Sequence, residues 1–218
     1  MSACSSLPHH VISSDQQNSE LTPQICHPSH DSAIVKLETR HGTTASGVVI
    51  SPNRIITVAH AIAADKKIYV KLENELLPAT VISINRDADL AYLAAYTGNI
   101  SPIPMANNKP APGSSVWAAG YPLASSQHIS TGFYESMSNG RLYTSVHINN
   151  GNSGGGLLQC EDGKVKLVGV VHGYVALKRE GSIINIGDSI SVPTAEIRNF
   201  IRRAQPSSNR VASSPQFF

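Results

Sequence analysis

From Ala33 onward the chain is built from short, β-prone runs separated by turn residues, and this spacing limits the fold more than any other feature. Ala33 to Thr39 alternates apolar and polar residues. Ala45 to Ile50 stops at the turn Ser51-Pro52-Asn53. Arg54 to Ala59 is rich in β-branched residues, and Lys67 to Leu72 sets Ile68, Val70 and Leu72 on one face. Leu76 to Ile84 and Leu90 to Tyr96 complete a first set. The second half repeats the texture at Ser115 to Gly120, His128 to Glu135, Arg141 to His147, Gly156 to Cys160, Val165 to Tyr174 and Ser182 to Val192. Runs of this length with frequent turns predict an all-β barrel or sandwich. No βαβ rhythm appears, which argues against a parallel sheet.

Two sets of about six strands predict two small antiparallel barrels. The first spans about 31–100. A Pro-, Asn- and Lys-rich stretch at 101–113 reads as the linker, and 114–204 forms the second barrel with a closing helix. Pro193 opens that helix and Thr194 is expected to cap it. Ile197, Phe200, Ile201 and Ala204 form its apolar stripe. Arg198, Arg202 and Arg203 lie off the stripe and read as a solvated face. Residues 1–30 and 205–218 lack apolar periodicity and read as flexible segments.

Composition excludes several classes. A chain of 218 residues with 41% hydrophobic residues can bury a substantial core. A net charge of +2 gives no pull toward nucleic acid or an anionic membrane. No apolar run is long enough to span a bilayer. Cys4, Cys26 and Cys160 show no C-x-x-C spacing, and any pairing leaves one over, so neither a disulfide framework nor a metal site is expected. His9, His10, His27 and His30 read as polar residues of the flexible leader. Met1-Ser2-Ala3-Cys4 resembles the end of a lipoprotein cleavage box, but no apolar segment precedes it.

Chemistry concentrates at Gly151-Asn152-Ser153-Gly154-Gly155-Gly156. Here a hydroxyl stands among four glycines just after a strand-like run. Glycine permits tight turns and close approach to main-chain N–H groups, which is what acyl transfer at a serine requires. Such a serine needs a base, and histidine is suited to that role near neutral pH. His60 closes the run Ile56-Thr57-Val58-Ala59. An acid must orient the imidazole. Asp89 enters an apolar strand directly, whereas Asp87 lies nearer the turn, so Asp89 is preferred.

The order His60, Asp89, Ser153 is the chymotrypsin order. Thr57-Val58-Ala59-His60, Asp89-Leu90-Ala91 and Gly151-Asn152-Ser153-Gly154-Gly155 resemble the three signatures of the trypsin-like serine peptidases. Within them the bacterial HtrA (Deg) type is the nearest likeness. Ala119-Gly120-Tyr121-Pro122, Leu167-Val168-Gly169-Val170 and Ile190-Ser191-Val192-Pro193 agree with it, and the resemblance runs from about Ala33 to Ala204. It implies a chymotrypsin-like pair of six-stranded barrels and a serine endopeptidase acting on protein or peptide substrates. His60 would be the general base, Asp89 its orienting acid and Ser153 the nucleophile. The N–H groups of Gly151 and Ser153 would form the oxyanion hole. No metal or cofactor is implied, and no nucleic-acid partner.

Asn152 stands where trypsin-like zymogens carry an aspartate that pairs with a freshly cut N-terminus, so activation by that route is not expected. About 14 residues follow the helix, too few for the PDZ domain of HtrA proteins. The resemblance puts His147, His172, Gly173 and Tyr174 around the primary specificity pocket. No acid stands at His147, which argues against cleavage after Lys or Arg. Small apolar side chains are favoured over acidic or polar ones at P1. Two other roles fit the same fold: an inactive peptide-binding module, and a viral-type polyprotein-processing protease. The likeness suggests an extracytoplasmic location, with a lipid anchor at Cys4 as a minor variant.

Overall fold

The computed structural model describes residues 26–29, 31–65, 67–179 and 182–205. Cys4, His9, His10 and His30, the chain before Cys26 and the tail beyond Gln205 lie outside the described residues.

Each half closes on itself. The first barrel contains β1 (Ile34–Thr39), β2 (Thr44–Ser51), β3 (Arg54–Thr57), β4 (Ile68–Leu72), β5 (Glu75–Asn85) and β6 (Leu90–Ala95), in the order β1-β2-β3-β6-β5-β4. The second contains β7 (Ser115–Gly120), β8 (His128–Ser138), β9 (Arg141–Thr144), β10 (Gly156–Glu161), β11 (Lys164–Arg179) and β12 (Ser182–Pro193), in the order β10-β11-β12-β9-β8-β7. All pairings within both barrels are antiparallel. The architecture is chymotrypsin-like, with one C-terminal helix, α1 (Thr194–Ala204).

Strand alternation predicts the inner faces. Ile68 and Val70 on β4 are buried, while Lys71, on the opposite face of the strand, is exposed. Leu37, Ile55 and Leu93 on one face of the first barrel's sheet, and Val48 and Ile56 on the other, are each wholly buried. Withdrawal of such a side chain from water contributes about 1.5–3 kcal/mol before the entropy of ordering is subtracted. Trp117, Leu158, Leu167, Val170 and Val192 from the second barrel join the same cluster, together with Ile197 and Phe200 of α1. The two barrels therefore share one core, and their relative position is set by packing. A second cluster around Tyr134, Leu142, Leu157 and Val171 fills the far side of the second barrel.

The connection between barrels is pinned to both. Ile103 N–H donates to the Val49 carbonyl at 3.1 Å, and Ala106 N–H donates to the Leu167 carbonyl at 2.7 Å. Ile103 and Ala106 are buried.

Three sequence expectations change. Thr194 does not cap α1. Pro193 occupies the cap position without a side-chain bond, and the Thr194 hydroxyl donates instead to the Ala106 carbonyl at 3.1 Å. Arg198 is not merely solvated, because its guanidinium donates to the Met105 carbonyl at 3.1 Å and so ties the helix to the connection. Cys26 and Cys160, 134 residues apart, form a disulfide with Cα atoms 5.4 Å apart. Sequence spacing could not reveal that pair, since only the fold brings Cys26 beside β10.

Candidate active site

The bend that carries His60 leaves the end of β3. Its first turn is closed by Ala63 N–H donating to the Ala59 carbonyl at 2.8 Å. The opposing turn, 86–89, precedes β6. The Asn85 side-chain oxygen accepts the N–H groups of Asp87 and Ala88, each at 3.0 Å. Asp89 itself adopts φ +55°, a left-handed conformation that aspartate tolerates better than most residues. That backbone turns its carboxylate inward, where Asp89 is 7% exposed.

Asp89 grips His60 twice. Oδ1 accepts the His60 backbone N–H at 2.8 Å, and Oδ2 meets the ring Nδ1 at 2.8 Å. Asp87 is exposed and bonds within its own turn. A second imidazole reaches the same carboxylate: His172 Nδ1 on β11 bonds Asp89 Oδ2. Burial pushes the Asp89 carboxyl up, but the bonds from the His172 ring, the His60 ring and the His60 backbone together outweigh it. The group is held well below the usual carboxylate range. An ionised carboxylate only accepts, so each Nδ1 donates its proton to Asp89, and a neutral ring in that tautomer keeps its lone pair on Nε2.

His172 also connects the serine loop to this pair. The Ser153 hydroxyl donates to the His172 carbonyl at 3.4 Å. The His172 ring stands edge-on to His60, with centroids 5.7 Å apart. In this structure the hydroxyl's hydrogen bond therefore runs to β11 and not to His60.

The serine loop is held from both barrels. Gly154 N–H donates to the Val171 carbonyl at 2.8 Å, and Gly155 N–H donates to the Asn152 carbonyl at 2.9 Å. From the first barrel, Ser46 N–H donates to the Ser153 carbonyl at 2.9 Å and the Ser46 hydroxyl donates to the Gly151 carbonyl at 2.7 Å. The same hydroxyl accepts Tyr121 N–H at 2.9 Å. Gly151 has φ +99°, and a Cβ there would lie 2.4 Å from the Tyr121 carbonyl oxygen. With their carbonyls bound, the N–H groups of Gly151 and Ser153 have no hydrogen-bond partner among the described residues.

A model of the trypsin-like peptidase domain matches residues 45–170, more than half of the chain. The chain belongs to the trypsin-like peptidase family. The peptidase is a serine-type endopeptidase by that membership. No individual curated protein matches it by sequence. Among solved structures it is similar to a serine endoprotease from Yersinia pestis, at 26% identity and TM-score 0.70, over 82% of this chain and 67% of that one. It also shares its fold with the Rv3671c protease of M. tuberculosis at 21% identity. The TM-score is 0.69 for that protein's active form, over 81% of this chain and 83% of that one. For its inactive form the TM-score is 0.68, over 81% of this chain and 90% of that one.

The remaining residues singled out in the sequence separate in space. His147 is exposed while its neighbour Ile148 is buried. Gly173 and Tyr174 are half-buried on β11, and Tyr174 packs on the second core. Asn152 is buried, and its side-chain oxygen has no partner among the described residues. Sequence reasoning missed Ser46, whose backbone and side chain serve four hydrogen bonds. It sits in an ordinary-looking strand, and only cross-barrel proximity exposes its role. His60, Asp89 and His172 also offer three donor atoms that lie within 4.8 Å of one another, an arrangement able to hold a metal ion.

Proposed function

We propose that the peptidase hydrolyses peptide bonds through an acyl-enzyme on Ser153, with His60 and Asp89 completing the triad. One observation carries the reading: His172 touches all three, taking the Ser153 hydroxyl on its carbonyl, Asp89 on its Nδ1 and the His60 ring against its own.

Catalysis requires the Ser153 hydroxyl to exchange the His172 carbonyl for His60 Nε2. Oγ then attacks the substrate carbonyl carbon while its proton passes to Nε2. Negative charge develops on the carbonyl oxygen. The free N–H groups of Gly151 and Ser153 are the donors for it, and removal of one such donor costs about 10²–10³ in rate in a comparable site. His60 returns the proton to the leaving amine as the C–N bond breaks. Water, giving its proton to His60, attacks the ester carbonyl carbon, and His60 returns that proton to Ser153 Oγ as the acyl C–O bond breaks and the acid leaves. Asp89 keeps the imidazole in one tautomer and stabilises its charged form, remaining ionised throughout.

For specificity, we infer a small apolar P1 side chain. His172 is engaged with Asp89 and His147 is exposed, which supports a pocket without a charged floor. Cleavage of a peptide library should show preference for Ala, Val or similar residues, and dominant cleavage after Glu would exclude this pocket. An extracytoplasmic location is supported by the Cys26–Cys160 disulfide, since such bonds persist in oxidising compartments.

A fluorophosphonate should label Ser153 in the folded protein, and Ser153→Ala should abolish both labelling and turnover. A folded wild-type protein that takes no label would favour the peptide-binding module.

A further inference from the structure

We propose that His60, Asp89 and His172 form a site for a divalent transition-metal ion of the zinc class, and that its occupation switches the peptidase off. The binding site stands on geometry alone. The switch rests on the triad reading given above.

The three donors come from three separate elements: the bend after β3, the turn before β6, and β11. Two imidazoles and one carboxylate form the donor set of many zinc sites that keep a position open for water or a further ligand. His60 and His172 side chains are 49% and 36% exposed, so an ion can reach them from solvent. Asp89 is buried between the two rings and offers the oxygen donor to both.

The distances suit the ion's size. His60 Nδ1 lies 2.8 Å from Asp89 Oδ2, and His172 Nδ1 approaches the same oxygen. A tetrahedral site with bonds of ~2.0–2.1 Å separates its donors by about 3.3 Å. The two contacts to Asp89 therefore lengthen by about 0.5–0.8 Å around an ion, and the two half-exposed rings can adjust within a set whose donor atoms already lie within 4.8 Å of one another.

Protons balance simply. Each Nδ1 proton that now points at Asp89 moves through solvent to Nε2 of the same ring, so the imidazole stays neutral and the freed Nδ1 lone pair binds the ion. A neutral imidazole from each histidine and one carboxylate leave a complex of net charge +1. Magnesium and calcium favour oxygen donors and should not compete at this site.

The consequence for catalysis is direct. Metal on His60 Nδ1 removes its hydrogen bond to Asp89, and a proton moved to Nε2 removes the lone pair that must accept from Ser153. The cation also discourages the protonated imidazole that forms during acyl transfer. The pair His60–Asp89 alone supplies two donors, and His172 provides the third.

The test uses the full chain carrying Ser153→Ala, titrated with zinc chloride by calorimetry with magnesium chloride as control. We expect one zinc site that weakens at least about tenfold when His172→Ser is added, and no magnesium binding there. Long-range ¹H–¹⁵N spectra should show zinc shifting the imidazole signals of His60 and His172. These spectra keep the test decisive if the double variant does not fold. In wild-type protein zinc should inhibit peptide cleavage, and EDTA should restore it. Unchanged zinc affinity in His172→Ser, or zinc shifts confined to other histidines, would overturn the site. A folded wild-type protein without peptidase activity but with His172-dependent zinc binding would overturn the switch and the triad reading while leaving the site intact.

Discussion

Ser46 in the first barrel and Gly151 in the second are joined by a hydrogen bond of 2.7 Å, from the Ser46 hydroxyl to the Gly151 carbonyl. This bond anchors the Gly151 carbonyl, and the preceding peptide, which carries the Gly151 N–H, is held by Leu123 N–H donating to the Asn150 carbonyl at 2.7 Å. Ser46→Ala should remove the Ser46 bond and leave both the Gly151 carbonyl and Tyr121 N–H without their partner. We expect a stability loss of about 1–3 kcal/mol and a fall in kcat larger than any rise in KM. Urea denaturation and steady-state kinetics check the two effects. Unchanged kcat in a folded variant would separate Ser46 from the working geometry of the serine loop.

Gly154 tolerates no side chain. Its φ is +86°, and a Cβ would stand 2.1 Å from both the Ser46 carbonyl oxygen and Thr57 Oγ1. Gly154→Ala combines backbone strain of about 1–3 kcal/mol with overpacking of about 1–3 kcal/mol. The expected loss is about 2–6 kcal/mol, measured as a lowered denaturation midpoint. A variant as stable as the parent would show that the two barrels can separate locally at little cost.

Asp89→Asn should keep the fold near His60 yet cut turnover by about 10⁴-fold, because an amide can stabilise the wrong imidazole tautomer. Asp87→Asn, at an exposed turn position, should leave turnover within about twofold by the usual tolerance of surface substitutions. Equal effects of the two would remove Asp89 from the role proposed for it.

Acid should destabilise the protein through the same carboxylate. The folded-state pKa of Asp89 lies below its unfolded value, so its contribution is fully present above the ordinary carboxylate pKa of about 3.9. That contribution fades as pH falls from there through the folded-state value. Thermal melting of wild type should therefore drop more steeply below about pH 4 than that of Asp89→Asn. Parallel curves would mean that the carboxylate gains nothing on folding.

Reduction of the Cys26–Cys160 disulfide should lower stability, since the bond closes a 134-residue separation and so restrains the unfolded chain. The expected loss is about 2–4 kcal/mol. Cys26→Ser should show the same loss without reductant, and a variant that melts with the oxidised parent would contradict it.

The sequence by itself determined the strands and their sorting into two sets. Period-2 alternation, as at Ile68, Val70 and Leu72, and turns such as Ser51-Pro52-Asn53 act locally. The edges moved by a few residues: β9 ends at Thr144 rather than His147, and β11 runs on to Arg179. It also marked His60, Asp89 and Ser153, because each belongs to a short motif with its own local chemistry.

Only the tertiary structure decided what lies between those motifs. Ser46 holds the Gly151 carbonyl across 105 residues, His172 meets Asp89 across 83, and Cys26 meets Cys160 across 134. Strand periodicity says which face a side chain takes but not which distant atom waits there. That depends on how two closed barrels pack on a shared core, and the geometry of that packing is a property of the whole chain.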